Sequence, residues 1–458
     1  QHVDDDNGAR TVSPLVERLR WSEASLFAMD PPLVRPPHAP GTEQATRSSG
    51  AVPRPLLENA VEAALDAPRR GALGPILALG FDDLPAARET AAARLRIVDE
   101  MDPPPSRPAA LGPYLGVVGP PLGEDDPRLD DTLYVTTLEK MCTCPWQTLL
   151  TRLLRIEPLP DPLETLPAID PLLIGNVVHR AAEAMVTRSL GSGDGAAPPR
   201  GRLALPVGWP DESELDEILL AAAEGALRES GIGLPGFDRV VALAVRPFLD
   251  QLQLSDWPDG ARVPVLGGEV REALELPEGP PPRRLAFRAD RVDGPGGRRV
   301  YTDYKTGRRP ITAAKREADQ RKGFLEQVRA GERLQVPAYA LAGRGSGRYL
   351  FLHPELDGIR EIAAHSDDTE LTEIFYTTVA AALDAWRQGA FPPRVVEADR
   401  NREPKACRWC EVAQACVRGD SGARRRLRDW AAGEEGAESG PLPAAHQLWR
   451  LPLGEGKP

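Results

Sequence analysis

Apolar positions recur at helical spacing along several stretches of this chain and switch to a strand-like pattern in its middle. Behind Thr137, a candidate helix cap, come Leu138, Cys144, Trp146, Leu149, Leu150, Leu153 and Leu154, which predict a first helix. A second is predicted through Ile174-Gly175-Asn176-Val177-Val178-His179-Arg180-Ala181-Ala182-Glu183-Ala184-Met185, and helical character returns over 213–253. The pattern then becomes that of strands, at 263–277, 284–293 and 299–305, with Gly294-Pro295-Gly296-Gly297 as the hairpin turn between the last two. Helix is expected over 311–343, a strand from Arg348 to His353 and a helix from Leu371 to Gln388.

Outside this span the signals weaken. Residues 1–130 are Pro-rich, with amphipathic helical stretches at 55–66 and 84–100 and a linker from Gly41 to Gly50. The segment Gly191 to Arg202 reads as a Gly/Pro/Ser loop, and the Gly/Glu/Pro-rich tail after Trp430 is expected to be loose. Three regions follow: 1–130, 131–430 and a flexible tail over 431–458. No internal repeat stands out.

Composition narrows the class. At 458 residues with 41% apolar content the chain can bury a sizeable core, while 48 prolines and 42 glycines imply many loops. No apolar run reaches membrane-spanning length and no charged-then-apolar start resembles a signal peptide, so no membrane partner and a cytoplasmic location are expected. The chain opens at Gln1 rather than Met, as a piece excised from a longer protein does. The net charge of −12 argues against a non-specific nucleic-acid coat, but local fields, not net charge, steer phosphates. From Arg298 to Arg333 eleven Lys or Arg stand against five acids, a local balance of +6. Such a run is either a solvated helix face or a phosphate track, and both readings stand.

The run begins beside the most informative motif, Asp303-Tyr304-Lys305-Thr306-Gly307, which follows Ala289-Asp290-Arg291-Val292-Asp293 on the preceding strand. On a strand Asp303 and Lys305 share a face and Tyr304 takes the other. Two carboxylates can hold Mg²⁺, and a lysine beside them can orient or deprotonate a water, the minimum set for metal-assisted phosphodiester hydrolysis. Glu269 and Glu272, on the strand before, are either supporting carboxylates or a solvated face. His179 has Glu183 one turn on and Gly175 one turn back, a weak signal alone. Gln335 and Tyr339 share a helix face provided that Pro337 between them lies near a helix start or at a kink.

Five cysteines without a secretory signal point to a metal centre rather than to disulfides. Cys407, Cys410 and Cys416 form a C-x₂-C-x₅-C cluster, and Cys144 lies far upstream before Pro145 and Trp146. Four thiolates suit an iron–sulfur cluster or structural zinc, although a zinc ribbon would bring a second C-x₂-C pair that is missing here. Cys142 is the surplus cysteine. It could replace Cys144 as a ligand, but the Cys-Pro-aromatic context favours Cys144.

In this order the motifs resemble the RecB-like branch of the PD-(D/E)XK nuclease superfamily, specifically its iron–sulfur members. These are Cys-Pro-aromatic, Gly-x-x-x-His, Asp-Arg-Val-Asp, Asp-Tyr-Lys-Thr-Gly, Gln-x-x-x-Tyr and C-x₂-C-x₅-C, spread over 131–420. Their layout is similar to the C-terminal nuclease domain of the AddB-type subunit of bacterial helicase–nucleases, which would make residues 1–130 the end of a degenerate helicase region. The resemblance implies an α/β fold with a restriction-endonuclease-like core, a central mixed sheet flanked by helices. It also implies an iron–sulfur staple joining the two ends of the nuclease domain. His179, Asp290 and Asp303 would bind Mg²⁺ or Mn²⁺, Lys305 would position the attacking water, and Gln335 and Tyr339 would support the site. Cys144, Cys407, Cys410 and Cys416 would hold a [4Fe–4S] cluster. The implied activity is a single-strand DNA exonuclease in double-strand-break repair and recombination. Since the chain has no phosphate-cradling P-loop, an ATP-dependent helicase partner would supply the motor. One departure is Phe287, where the family often has glycine. The alternatives are a catalytically silent DNA-binding or scaffolding subunit and a zinc-stapled structural domain.

Overall fold

The computed structural model describes residues 111–157, 168–190, 203–277, 279–307, 316–395, 404–432 and 441–452. The helices expected at 55–66 and 84–100, the linker at 41–50 and the loop at 191–202 lie outside these residues, as does 308–315 of the basic run.

The chain enters through a short strand β1 (Thr132–Tyr134) and helix α1 (Val135–Thr143), which stops at Cys144 and gives way to α2 (Pro145–Thr148). Thr137 is buried inside α1 and does not cap it, because the helix already starts at Val135. Proline cannot continue a helix interior, so the single helix expected here is broken at Cys144-Pro145. Helix α3 (Pro171–Leu190) follows, with Asp170 accepting from the Leu173 N–H at 2.7 Å and proline in the first turn. After strand β2 (Leu205–Val207) come α4 (Glu212–Glu229) and α5 (Phe237–Asp256), so the helical stretch at 213–253 is two helices. Strands β3 (Val263–Glu275), β4 (Arg284–Asp293) and β5 (Val300–Lys305) fall where the sequence pattern puts them.

Beyond β5 the helix expected over 311–343 divides into α6 (Glu317–Arg329) and α7 (Gln335–Gly343). The break has a steric cause: Gly331 adopts φ +76°, and a Cβ there would stand 2.3 Å from the Cys142 side chain. Pro337 is thereby in the first turn of α7, where its missing N–H costs nothing. Strands β6 (Ser346–Phe351) and β7 (Glu361–His365), helices α8 (Thr369–Gln388) and α9 (Ser421–Ala432), and helix α10 (Pro441–Trp449) complete the described chain. Helix α10 falls within the stretch 431–458 expected as a flexible tail, of which 433–440 and 453–458 lie outside the described residues. Its Ala444, Ala445, Leu448 and Trp449 are buried, and Arg394 donates to the Trp449 carbonyl at 3.1 Å and to that of Leu451 at 2.5 Å. Polar, Gly-rich flanks hid these apolar positions from a reading by composition.

Seven strands form one mixed sheet in the order β2-β3-β4-β5-β6-β7, with β1 added beside β4. The pairs β2/β3, β3/β4, β4/β5 and β6/β7 are antiparallel, and β5/β6 and β1/β4 are parallel. On one face α1, α7, α8 and α10 enclose a core that includes Phe287, Tyr301, Tyr339, Tyr349, Phe375 and Trp386. On the other, α3, α4 and α5 enclose a second core with Val177, Val178, Phe248, Trp257 and Tyr304. This is an α/β fold with a mixed central sheet flanked by helices, consistent with a restriction-endonuclease-like core. Among the described residues no helix is long and apolar enough to cross a membrane.

One feature of the register positions the site. Along one edge of β4, β1 pairs with residues 284–286 and β5 with 291–293, leaving 287–290 unpaired on that side. The β4/β5 ladder ends at Arg291↔Thr302, one step before Asp290 would face Asp303.

Candidate active site

At this opening Asp290 takes over the work of the ladder. Its Oδ2 accepts the Tyr304 backbone N–H at 2.6 Å, tying the diverging strands together through a side chain. Its Oδ1 lies 3.0 Å from Nδ1 of His179, which α3 brings from the helical layer on one face. Asp303 and Lys305, on the same face of β5, form an ion pair of 2.6 Å. Helix α7 approaches from the opposite layer: Lys305 Nζ donates to Gln335 Oε1 at 3.4 Å, and the Tyr339 hydroxyl donates to the Arg288 carbonyl at 3.0 Å and lies 3.4 Å from Asp303 Oδ1. Gly347 on β6 permits this approach, since a Cβ there would collide with the Val336 carbonyl at 2.4 Å. The six residues singled out in the sequence thus meet where both helical layers reach the gap in the sheet.

Glu269 joins them. A register shift between Val265 and Gly267 distorts β3, and Glu269 sits at φ +49°, an unfavourable conformation for a side-chain-bearing residue. Its carboxylate is buried and paired with Arg288 at 2.5 Å. His179, Glu269 and Asp290 each offer a ligand atom, all within 4.8 Å of one another. Asp303 is instead turned toward Lys305 and Tyr339. Sequence reading could name Glu269 only as one of two undecided carboxylates, because the bulge that aims it leaves no mark in the alternation. Glu272 goes elsewhere, accepting from the Tyr301 hydroxyl at 2.5 Å.

Charge in this pocket is unevenly matched. Burial, with the neighbouring Asp290 charge adding to it, pushes the Glu269 carboxyl up to about 7. Burial also raises Asp303, with Lys305 pulling against it and Asp290 adding to it. Burial opposes the charged forms of His179 and Lys305, but the Asp290 hydrogen bond and the carboxylates around His179, and Asp303 beside Lys305, reverse that effect and leave both above their ordinary values. Lys305 is therefore held as an ammonium, a charged donor rather than a base. Glu269 and Asp290 converging on the His179 imidazole form a donor set that a hard divalent cation fits.

Phe287, at the position where the family often has glycine, is buried in the core and packs at a tilt against Tyr339 with ring centroids 4.7 Å apart. Gly175 lies against the turn after β5, its Cβ position 3.4 Å from Thr306 Oγ1. Glu183 is exposed, yet near enough to Glu269 to add to its upward shift.

The cysteines lie apart from these groups, and no disulfide joins them. Burial pushes Cys416 up to about 11, with Cys144 and Cys410 among the neighbours that add to the shift, so these three thiols share one locality although more than 260 residues separate Cys144 from the others. Trp146 donates to the Ala415 carbonyl at 3.1 Å and Arg418 to that of Cys407 at 2.6 Å. Cys142 faces away: it is fully buried against Gly331, and burial pushes its thiol up to about 12.

Residues 132–417 match the family model of the PD-(D/E)XK nuclease superfamily, and the chain belongs to that superfamily. Membership implies a nuclease, and hence a hydrolase. A solved structure, "Crystal structure of SSO0001", is similar at 13% identity with a TM-score of 0.25, covering 63% of this chain and 86% of that one. A search of the curated proteins found no match.

Proposed function

We propose that this chain is a divalent-metal-dependent DNA nuclease of the RecB-like, iron–sulfur kind, degrading single-stranded ends in the cytoplasm as part of an AddB-type helicase–nuclease in double-strand-break repair. The observation that carries the reading is the convergence, at the gap between β4 and β5, of two neighbouring ion pairs, His179–Asp290 and Lys305–Asp303. His179, Asp290 and Asp303 would hold Mg²⁺ or Mn²⁺, with Glu269 as a further donor. The cation would supply Lewis-acid polarisation of the scissile phosphate and a more acidic water.

The chain's own groups do the rest. Asp290 orients the His179 ring through Nδ1, and the Tyr304 N–H orients Asp290. Lys305, kept charged by Asp303, directs the attacking water and stabilises negative charge on the phosphorane-like transition state. Gln335 and Tyr339 hold Lys305 and Asp303 at their working angles. The basic residues flanking the site would carry the strand, chiefly through phosphate contacts.

Cys144, Cys407, Cys410 and Cys416 are proposed to bind a [4Fe–4S] cluster. The shared locality of three of these thiols supports this donor set, and the core packing of Cys142 supports leaving it out. The cluster would supply thermodynamic cross-linking, stapling the start of the domain to its end.

The test is degradation of end-labelled single-stranded DNA in Mg²⁺ by anaerobically purified protein, beside Asp303→Ala. Cleavage lost in the variant is the expected result. A brown, folded wild-type protein that binds DNA and never cleaves it would overturn the nuclease reading in favour of a scaffold.

A further inference from the structure

Helix α7 carries Gln335 and Tyr339, yet no side chain of its own segment caps its start: Leu334 precedes it in helical conformation with no side-chain cap. The first N–H groups of a helix need acceptors. They find one on α1, 195 residues earlier: Glu139 Oε1 accepts from Leu334 N–H at 2.7 Å and from Gln335 N–H at 3.2 Å. The residue so anchored is the one whose Oε1 accepts from Lys305. Lys305 and Glu139 lie close enough for each to act on the other's charge. Glu139 is also placed by its own helix, which stops one turn later at Cys144, with the Cys144 N–H on the Lys140 carbonyl at 2.8 Å.

We infer that Glu139 is a positioning residue for the nuclease site: from outside α7 it caps that helix and so fixes Gln335 against Lys305. The role rests on the nuclease reading above and adds a residue to it. It also makes α1 a rigid bar, with the cap at its middle and the Cys144 thiol at its end.

The test uses the full chain as wild type, Glu139→Ala and Glu139→Gln. Three quantities are measured: single-turnover cleavage of single-stranded DNA in Mg²⁺, DNA affinity, and amide hydrogen exchange at 334 and 335. Glu139→Ala should slow cleavage roughly 10- to 100-fold through misplacement of Lys305, with DNA affinity unchanged and both amides exchanging faster. Glu139→Gln keeps an acceptor oxygen at the same reach and should recover most of the rate, which a merely structural loss would not predict. Wild-type cleavage by Glu139→Ala, unchanged exchange at both amides, or a Glu139→Gln enzyme as slow as the alanine variant would each overturn the role. If Glu139→Ala does not fold, Glu139→Asp, one methylene short of both amides, takes its place with the same expectations. A wild-type chain that binds DNA without cleaving it would instead sink the nuclease reading on which the role rests.

Discussion

Two charged clusters grow from neighbouring residues of the same strands and differ in how their charges are matched. Asp290 and Asp303 belong to the pocket at the sheet gap, whereas Arg291 and Tyr304, one residue on in each strand, belong to a network under α5. There Arg291 is fully buried, ion-paired with Asp256 and with Asp293 (2.8 Å), donates to the Tyr304 hydroxyl at 2.9 Å and lies 4.7 Å from the Trp257 ring centroid. Arg348 adds a second cation at 2.8 Å from Asp256. Burial alone would raise Asp256, but the two guanidiniums more than reverse it; at Asp293 burial prevails. Two acids meet two guanidiniums, so the network is closed. The pocket sets three carboxylates, Glu269, Asp290 and Asp303, against only two cations inside it, His179 and Lys305, with Arg288 exposed at its edge, and there a carboxyl is driven up to about 7. A closed network holds a scaffold together. An under-compensated one is held open at some cost, as is common where a cation or a substrate completes the balance.

The sharpest way to break this contrast is Arg291→Ala. It strands two buried carboxylates and should cost about 3–5 kcal/mol of stability, read by denaturant unfolding. Lys305→Ala strands only Asp303, whose carboxyl is already raised by burial toward its neutral form, so it should cost less stability than Arg291→Ala. It should leave DNA affinity nearly intact while lowering cleavage by roughly 10²–10³-fold, as loss of a transition-state charge does. Stability loss in both variants alike would erase the distinction. Cys410→Ala should bleach the brown colour of the cluster and lower the melting temperature; a colourless wild-type protein with bound zinc would replace the iron–sulfur proposal with a zinc staple.

The smallest effect is one of pH. In metal-free protein burial pushes the Glu269 carboxyl up to about 7 in the folded state, against an ordinary 4.5. A raised acid binds its proton more tightly in the folded state, so its contribution to stability is full below pH 4.5 and is lost as pH rises to about 7. Glu269→Gln should flatten the fall in melting temperature across that window and weaken Mg²⁺ binding. An unchanged slope would remove Glu269 from the unbalanced cluster.

Much of the site was legible because its chemistry is written in short strand motifs. Period-two alternation alone puts Asp303 and Lys305 on one face and Tyr304 on the other. Helix spacing aligns Gln335 with Tyr339, and Pro337 demanded either a helix start or a kink nearby, of which the start at Gln335 is the one found. Short elements escaped: β1, β2 and β7 hold three to five residues each, too few for a period to emerge. Glu139 escaped for a different reason, since a charged residue beside Leu138 on a helix gives no hint of capping another helix 195 residues away.

What the sequence determined by itself was the inventory: the strand and helix periods, the order of the motifs, and the residue types able to bind a cation and a phosphate. Local stereochemistry settles these, and local stereochemistry is readable from neighbours in the chain. What only the tertiary structure decided was which carboxylate faces which. The early end of the β4/β5 ladder frees Asp290 to bind the Tyr304 N–H and His179, the β3 distortion turns Glu269 inward, and the gap admits His179 from one layer and α7 from the other. Those outcomes depend on backbone pairing and close packing between segments distant in sequence, where no local pattern carries the information.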